Sequence, residues 1–164
     1  MQKKITIIGS GNTATVLGRL LKSVGYIIQG IYSRTPVHAD SLAAELDAIQ
    51  HGSFDNISQE ADLFIIAVQD KAIATVAGML QLPGKIVVHT SGSVPAGVLK
   101  QVSANYGVLY PLQSLRKEVL RIPEIPFLVF GANHHTRQQL FQLAKNISAN
   151  VEYAGDEARL KLHL

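Results

Sequence analysis

The sequence contains no cysteine and no tryptophan, and aromatic residues make up only 6% of it. Without cysteine the chain can form no disulfide framework, no zinc–thiolate site and no thiol nucleophile, and the redox compartment stays undetermined. Long apolar runs are missing as well, because Leu63–Val68 and Ile86–Val88 have only the length of strands. A helix that spans a bilayer needs about 20 apolar residues. We therefore expect no membrane partner.

Charge is also sparse: charged residues make up 16% of the chain and the formal net charge is +3. Apart from the pairs Lys3-Lys4 and Arg116-Lys117 the basic residues are scattered, so no stripe suited to a nucleic-acid backbone emerges. Met1–Lys4 leads directly into an apolar segment, without the hydrophobic region of a secretory signal. We expect a cytoplasmic protein with no nucleic-acid partner.

The most informative segment that is present runs from Ile5 to Ala14, where an apolar strand enters a Gly-x-Gly-x-x-Ala turn. Gly9 permits a tight exit from the strand, Gly11 lets backbone N–H groups approach a pyrophosphate, and Ala14 lets the next helix pack closely. The positive end of that helix then faces the phosphates. The pattern predicts a dinucleotide site formed by Gly9, Ser10, Gly11, Asn12, Thr13 and Ala14.

Strand-length and helix-length segments alternate along the chain, which is typical of an α/β fold. We expect a Rossmann-type, doubly wound and mostly parallel sheet with helices on both faces. The predicted strands are Ile5–Ile8, Ile27–Tyr32, Ala48–Gln50, Leu63–Val68, Ile86–His89, Tyr106–Tyr110, Phe127–Phe130 and Val151–Tyr153. The predicted helical segments are Asn12–Val24, Thr35–Leu46, Ser58–Ala61, Ala72–Leu80, Pro95–Val102, Thr136–Ile147 and a last one that Asp156 caps.

The last helical segment suggests a domain boundary. Residues 1–154 are expected to form the dinucleotide-binding domain, and residues 155–164 the first turns of a helical domain. Because this helix reaches Leu164 without a C-cap, we expect the chain to be the N-terminal part of a longer protein, with a truncated C-terminal helical domain.

The second strand ends in Ser33-Arg34-Thr35, where NAD-binding domains usually carry an acid for the ribose 2′-hydroxyl. Arg34 can pair with a 2′-phosphate through a bidentate fork, and the two hydroxyls can donate to the same oxygens. This favours NADP(H) over NAD(H). A P-loop would need Gly-Lys-Ser/Thr where the chain has Thr13-Ala14-Thr15, and adenosylmethionine sites usually keep an acid at the strand tip.

Two loops are expected at the carboxyl edge of the sheet, where ligands bind. Val68, Gln69 and Asp70 would lie along the cofactor, although Asp70 could equally be the N-cap of the next helix. The loop after the fifth strand starts at His89 and contains Thr90 and Ser91 as cofactor-facing residues. His89 and Ser91 are candidate catalytic residues, and the alternative for His89 is a buried structural histidine.

Two other chemistries find little support. The nucleophile elbow Gly-x-Ser-x-Gly is absent around Ser91, which disfavours a Ser-His-Asp hydrolase. The adjacent His134 and His135 would diverge by about 100° on a helix, so we expect surface residues at a helix start and no metal site.

With these motifs in view, the chain resembles the NADP-dependent oxidoreductases of the pyrroline-5-carboxylate reductase and 6-phosphogluconate dehydrogenase-like superfamily. Within it, the chain is similar to Rossmann-like NADP or deazaflavin-dependent oxidoreductases with a C-terminal helical domain of unknown function. The resemblance covers essentially all 164 residues. It rests on Ile7–Asn12 with Ala14, Tyr32–Thr35, Ala61–Val68 with Asp70 and Ile73, His89–Ser93, Tyr110–Ser114 and Lys161–Leu164.

The resemblance implies a two-domain enzyme that is a homodimer through interlocked C-terminal helices and holds its substrate between the domains. In this superfamily, catalytic lysine or asparagine side chains often come from the first long helix after the Rossmann domain. Lys161 and His163 are therefore further candidate catalytic residues.

Together these observations predict an oxidoreductase domain that binds NADP(H) and transfers hydride between the nicotinamide and a small imine or carbonyl compound. The alternative is a non-catalytic module that senses NADP(H) and reports to a partner.

Overall fold

The computed structural model describes residues 3–164, and within them a single sheet of eight strands carries five α-helices. The strands are β1 (Lys4–Ile8), β2 (Ile27–Tyr32), β3 (Ile49–His51), β4 (Leu63–Ile66), β5 (Ile86–His89), β6 (Tyr106–Pro111), β7 (Phe127–Gly131) and β8 (Val151–Tyr153). The helices are α1 (Asn12–Ser23), α2 (Pro36–Leu46), α3 (Asp70–Gly78), α4 (His134–Ile147) and α5 (Asp156–His163).

The strand order is β3-β2-β1-β4-β5-β6-β7-β8. All neighbouring strands are parallel except β6 and β7, which run antiparallel. The chain moves outward from β1 to β3 and then returns to place β4 on the other side of β1. This reversal opens a crevice at the carboxyl ends of β1 and β4, the usual ligand position in such sheets. The expected Rossmann-type α/β fold is confirmed.

The sheet separates two hydrophobic clusters. One face is covered by α1, α2 and α4, with Leu17, Leu42 and Leu140 packed on the strands. The other face is covered by α3 and the 3-10 turn Ala96–Leu99, which bury Ile73 and Leu99. The central strand β4 is buried on both faces, which explains why its sequence is apolar without alternation.

Several predicted element bounds differ from the structure. The third strand was expected at Ala48–Gln50 and lies at Ile49–His51, because the N–H of Ala48 still bonds to Ala43 and closes α2 around the left-handed Asp47. Strand β4 ends at Ile66 rather than Val68.

Two predicted helices are wrong. Ser58–Ala61 is not helical, because the hydroxyl of Ser58 accepts from the N–H of Glu60 at 3.1 Å in a tight turn. A 3-10 turn lies earlier, at Phe54–Asn56. The segment Pro95–Val102 forms only the 3-10 turn Ala96–Leu99, because i+3 bonds replace the α-helical ones around Gly97.

Three helices also begin at residues other than those predicted. Helix α3 begins at Asp70, two residues before the expected Ala72, and α4 begins at His134 rather than Thr136. The N-cap of α5 is Gly155 and not Asp156, whose carboxylate instead contacts Ala96 and Arg159. One predicted helix end differs as well, because α1 ends at Ser23 and Val24 is its C-cap.

Candidate functional site

The turn between β1 and α1 is built around Gly9. Its φ of +127° is rarely open to residues with a side chain, and a Cβ at this position would collide with the carbonyl oxygen of Ala67. The N–H of Gly9 donates to the carbonyl of Tyr32 at 2.6 Å. Val68 approaches the same turn, with its Cγ1 3.5 Å from where that Cβ would be. The turn is therefore fixed against both β2 and the end of β4.

The N-terminus of α1 offers free donors and open space. Gly11 is the N-cap, no side chain caps it, and a Cβ there would meet nothing within 4 Å. The first helical bond runs from the N–H of Thr15 to the carbonyl of Gly11 at 3.0 Å. Within residues 3–164, the N–H groups of Asn12, Thr13 and Ala14 have no hydrogen-bond partner. These donors at the positive end of a helix fit a pyrophosphate.

The tip of β2 lies directly beside this turn. The hydroxyl of Ser10 donates to that of Ser33 at 2.6 Å, and the N–H of Thr35 donates to the same Ser33 oxygen at 3.2 Å. Thr35 is the N-cap of α2, yet its side chain makes no capping bond. Arg34 is exposed and has no ion pair within the described chain. The guanidinium and the hydroxyl of Thr35 thus remain available to an anion.

The connection between β6 and β7 also lies beside the first turn of α1, which the sequence did not indicate. The N–H of Lys117, in the connection between β6 and β7, donates to Oδ1 of Asn12 at 3.0 Å. Nη1 of Arg19 donates to the carbonyl of Lys117 at 2.6 Å, while Glu45 holds the same guanidinium. Asn12 was expected to contact the cofactor, and its N–H remains without a partner in the described chain. Its side chain anchors a loop that carries Arg116 and Lys117 to the first turn of α1.

The loops after β4 and β5 are joined to each other. Gln69 is the exposed N-cap of α3, so the alternative that Asp70 caps this helix is wrong. The Asp70 carboxylate accepts from the hydroxyl of Ser93 at 2.9 Å. Thr90, which directly follows β5, is half-buried, and its side chain makes no hydrogen bond within the described residues.

His89 and Ser91 are buried and use their polar atoms internally. Nδ1 of His89 accepts from the N–H of Ser91 at 3.0 Å, so Nε2 carries the proton and faces the carbonyl of Pro95 at 3.3 Å. The Ser91 hydroxyl oxygen accepts from the N–H groups of Ser93 and Val94. Burial lowers the pKa of His89 to about 4, although the bond to Pro95 opposes the shift. Both nitrogens of His89 are thus used within the protein, whereas the Ser91 hydroxyl keeps its own proton, with Oγ of Ser93 3.5 Å away.

Arg159 was not among the predicted site residues, yet it is only 1% exposed. Its Nε donates to the carbonyl of Ser91 at 3.1 Å, and its Nη2 donates to the carbonyl of Val94 at 2.7 Å and to Asp156 at 2.9 Å. Asp156 also accepts from the N–H of Ala96 at 3.0 Å. Helix α5 therefore clamps the loop that follows β5.

The two predicted residues on α5 have different surroundings. Lys161 is exposed and pairs with Glu157 of its own helix, Nζ to Oε1 at 3.5 Å. His163 reaches back to the sheet, where its Nδ1 lies 2.8 Å from the hydroxyl of Tyr110 at the end of β6. The structure thus brings His163, and not Lys161, to the carboxyl edge of the sheet.

A sequence model of the family described as NADP oxidoreductase, coenzyme F420-dependent, matches residues 4–92, more than half of the chain. The chain belongs to this family. The matched segment of the NADP oxidoreductase domain runs from β1 to the loop after β5 and so includes both the glycine turn and the Ser33–Thr35 tip. No curated protein matches the chain.

Solved structures with the same fold include other oxidoreductases. A candidate NADP oxidoreductase from Bacteroides fragilis is 33% identical, with a TM-score of 0.90 over 99% of this chain and 64% of that one. An imine reductase from Pseudomonas sp. is 19% identical, with a TM-score of 0.76 over 99% and 59%. A reductive aminase from Aspergillus terreus in complex with NADPH is 19% identical, with a TM-score of 0.72 over 96% and 57%.

This NADP oxidoreductase domain thus spans less than two thirds of the length of the solved proteins it matches. None of the helices between residues 3 and 164 has the length and apolar character needed to cross a bilayer. In the same residues no three metal-ligating side chains of His, Asp or Glu lie together.

Proposed function

We propose that the domain binds NADP(H) at the carboxyl ends of β1, β2 and β4. The observation that carries this proposal is the first turn of α1, where Gly9 leaves the strand in a conformation suited to glycine and the N–H groups at 12–14 are free. These groups would hold the pyrophosphate through short charge-assisted bonds.

The phosphorylated form of the cofactor is favoured by the tip of β2. Arg34 and Thr35 would contact the 2′-phosphate, and no acid lies in Ser33–Thr35 to receive a free ribose 2′-hydroxyl or repel a phosphate. Ser33 would hold Ser10 and Thr35 in place, because the hydroxyl of Ser10 and the N–H of Thr35 both donate to its oxygen. The loop held by Asn12 would add the charges of Arg116 and Lys117.

For the whole protein we propose hydride transfer between the nicotinamide and a small imine or carbonyl compound. The family supports an oxidoreductase, and the imine reductase and reductive aminase with this fold support the class of substrate. When bound, NADPH would supply the hydride. Val68, Gln69 and Thr90 would line the cofactor, and the clamp of Arg159 on Ser91 would keep the neighbouring loop in one conformation.

We further propose that residues 1–154 form the dinucleotide-binding domain, and that residues 155–164 begin a helical domain of the whole protein. Leu160 and Leu162 on α5 are 41% and 54% exposed, as expected of a surface that packs on more chain. A cytoplasmic homodimer with a small-molecule substrate, and with no nucleic-acid or membrane partner, completes the proposal.

Turnover of NADPH tests the proposed hydride transfer. The full-length protein is mixed with NADPH and a panel of cyclic imines, ketones, keto acids and oxidised deazaflavin, and the loss of reduced nicotinamide absorbance is followed. We expect oxidation with an imine or a carbonyl compound. Tight NADPH binding without turnover on any compound would contradict the oxidoreductase proposal and favour a sensing module.

A further inference from the structure

The residue pair Tyr110 and His163 lies at the carboxyl edge of the sheet, outside the cofactor contacts proposed above. Tyr110 is at the end of β6, the strand next to β5, and its hydroxyl lies 2.8 Å from Nδ1 of His163 on α5. The rings meet edge to face, with centroids 5.8 Å apart at 68°. The two residues are 53 positions apart in the chain, so only the fold brings them together.

The pair rests on the backbone of Gly92, in the loop after β5. A Cβ on Gly92 would lie 2.6 Å from Nδ1 of His163 and 2.7 Å from Cζ of Tyr110, closer than such atoms approach. Gly92 is buried under the two rings. The absence of a side chain there lets the phenol and the imidazole reach the loop that Arg159 clamps.

The surroundings keep the phenol protonated. Burial raises the pKa of Tyr110, the carboxylate of Asp70 raises it further, and the guanidinium of Arg159 opposes both. Asp70 and Arg159 act on the phenol through their charges. His163 is the titratable side chain that forms a hydrogen bond with its hydroxyl. Tyr110 is half-buried while His163 is exposed, so the imidazole connects the phenol to solvent.

Three neighbouring polar side chains of this edge have different partners. Both ring nitrogens of His89 face backbone partners, and the Ser91 oxygen accepts two N–H groups and lies 3.5 Å from Oγ of Ser93. The Ser93 hydroxyl donates to Asp70. Tyr110 differs from them because its hydroxyl contacts the imidazole of the exposed His163.

We propose that Tyr110 donates the proton that completes reduction of the substrate and that His163 resupplies it. This inference rests on the proposed function, because a C=N or C=O group needs one proton after it has received a hydride from NADPH. The phenolic O–H bond breaks as an N–H or O–H bond forms on the substrate. The tyrosine oxygen then takes the proton of Nδ1 from the imidazolium of His163, which regains one from water.

In the opposite direction the same atoms act as a base. The Tyr110 oxygen takes the substrate proton while its own proton passes to Nδ1 of neutral His163. The geometry serves both directions, because one hydrogen bond of 2.8 Å links the two residues. Tyr110 would touch the substrate, and His163 is a positioning and relay residue that acts through Tyr110.

Three variants of the full-length protein test the proposal. Tyr110→Phe keeps the ring and removes the hydroxyl. His163→Asn keeps an acceptor near the Nδ1 position but cannot carry a proton. Gly92→Ala displaces the pair without removing either side chain, and Gly97→Ala, where a Cβ meets nothing within 4 Å, is its control.

We expect Tyr110→Phe to lower kcat for the imine or carbonyl compound by about 100-fold, with NADPH affinity unchanged, as is usual for loss of a proton donor. His163→Asn should lower kcat and remove one ionisation from its pH profile, which loss of a purely structural contact would not do. Gly92→Ala should lower kcat and Gly97→Ala should not. Wild-type kcat in Tyr110→Phe would overturn the proposal.

A spectroscopic measurement decides the same question without turnover. In protein labelled with ¹³C at the tyrosine Cζ, Tyr110→Phe assigns the signal of Tyr110, which we expect to shift with pH and again when NADPH is added. The first shift should be absent in His163→Asn. A Tyr110 signal that follows neither change would overturn the proton relay. NADPH binding by calorimetry is recorded in parallel, so that a protein with no affinity for NADPH counts against the cofactor proposal separately.

Discussion

Arg159 and Ser91 are 68 positions apart in the chain, yet Nε of the buried guanidinium donates to the Ser91 carbonyl at 3.1 Å. The same side chain also bonds to Val94 and Asp156. One arginine on α5 therefore fixes the loop that forms the carboxyl edge beside β5, and the stability of this loop depends on the last helix.

Replacing Arg159 by alanine should lower the free energy of unfolding by about 3 kcal/mol or more, because buried carbonyl groups lose a charged donor. Arg159→Lys should recover little of this loss, since one ammonium group cannot reproduce the fork. Urea unfolding measures the free energy of unfolding of each variant. Lys161→Ala on the same helix is the control, and its free energy of unfolding is expected within about 0.5 kcal/mol of wild type. A similar small effect for Arg159→Ala would show that the clamp contributes little.

Gly11→Ser separates cofactor binding from folding. Serine is a favoured N-cap residue, so we expect unchanged or slightly higher stability. Its side chain would occupy the open space and accept the N–H groups that are proposed to hold the pyrophosphate. NADPH affinity should fall by about tenfold or more, as for the loss of a charge-assisted bond. Gly97→Ser, at an exposed position of the 3-10 turn Ala96–Leu99, is the matched control. Equal NADPH affinities for the two variants would argue against the site.

Asn12→Ala should release the loop that carries Arg116 and Lys117. Because Oδ1 of Asn12 holds the N–H of Lys117, its removal leaves this loop attached through Arg19 and through the packing of Leu115 and Ile122 on the core. Trypsin should then cleave after positions 116 and 117 several times faster, and NADPH affinity should fall. Unchanged cleavage with lowered affinity would instead indicate a direct contact between Asn12 and the cofactor.

The buried His89 should make the free energy of unfolding fall as the pH is lowered. Its pKa is about 4 in the folded protein and near 6.5 when unfolded, so the unfolded chain binds the extra proton between these values. Stability from this group is fully present above pH 6.5 and is lost as the pH falls toward 4, by up to about 3 kcal/mol. His89→Asn should reduce the fall that urea unfolding measures between pH 7 and pH 5. An identical fall in both proteins would show that other groups cause it.

The sequence was most informative where local chemistry decides the structure. The glycine turn after β1 and the end of β2 at Tyr32 follow from glycine conformations and strand spacing, and both lie where they were predicted. The segments around Ser58 and Pro95 were not, because a serine hydroxyl and i+3 bonds override the helical pattern there.

Contacts between distant segments could not be predicted in the same way. Asn12 and Lys117 are 105 positions apart, and their bond depends on how the connection between β6 and β7 crosses α1. The clamp of Arg159 and the contact of His163 with Tyr110 likewise depend on where α5 lies. A charged residue in a short helix gives no sequence signal of burial, and Arg159 was therefore not among the predicted site residues.

The central claim is that Arg34 meets the 2′-phosphate of NADP(H). Calorimetric titration of NADPH and NADH into the wild-type chain and Arg34→Ala tests it most directly. Arg137→Ala is the control, because it removes an exposed arginine that lies over Tyr153 of β8, the edge strand far from β2. We predict that wild type prefers NADPH, that Arg34→Ala weakens NADPH binding by about tenfold to a hundredfold with little effect on NADH, and that Arg137→Ala changes neither. Equal weakening of both cofactors in Arg34→Ala, or a wild type that prefers NADH, would contradict the account.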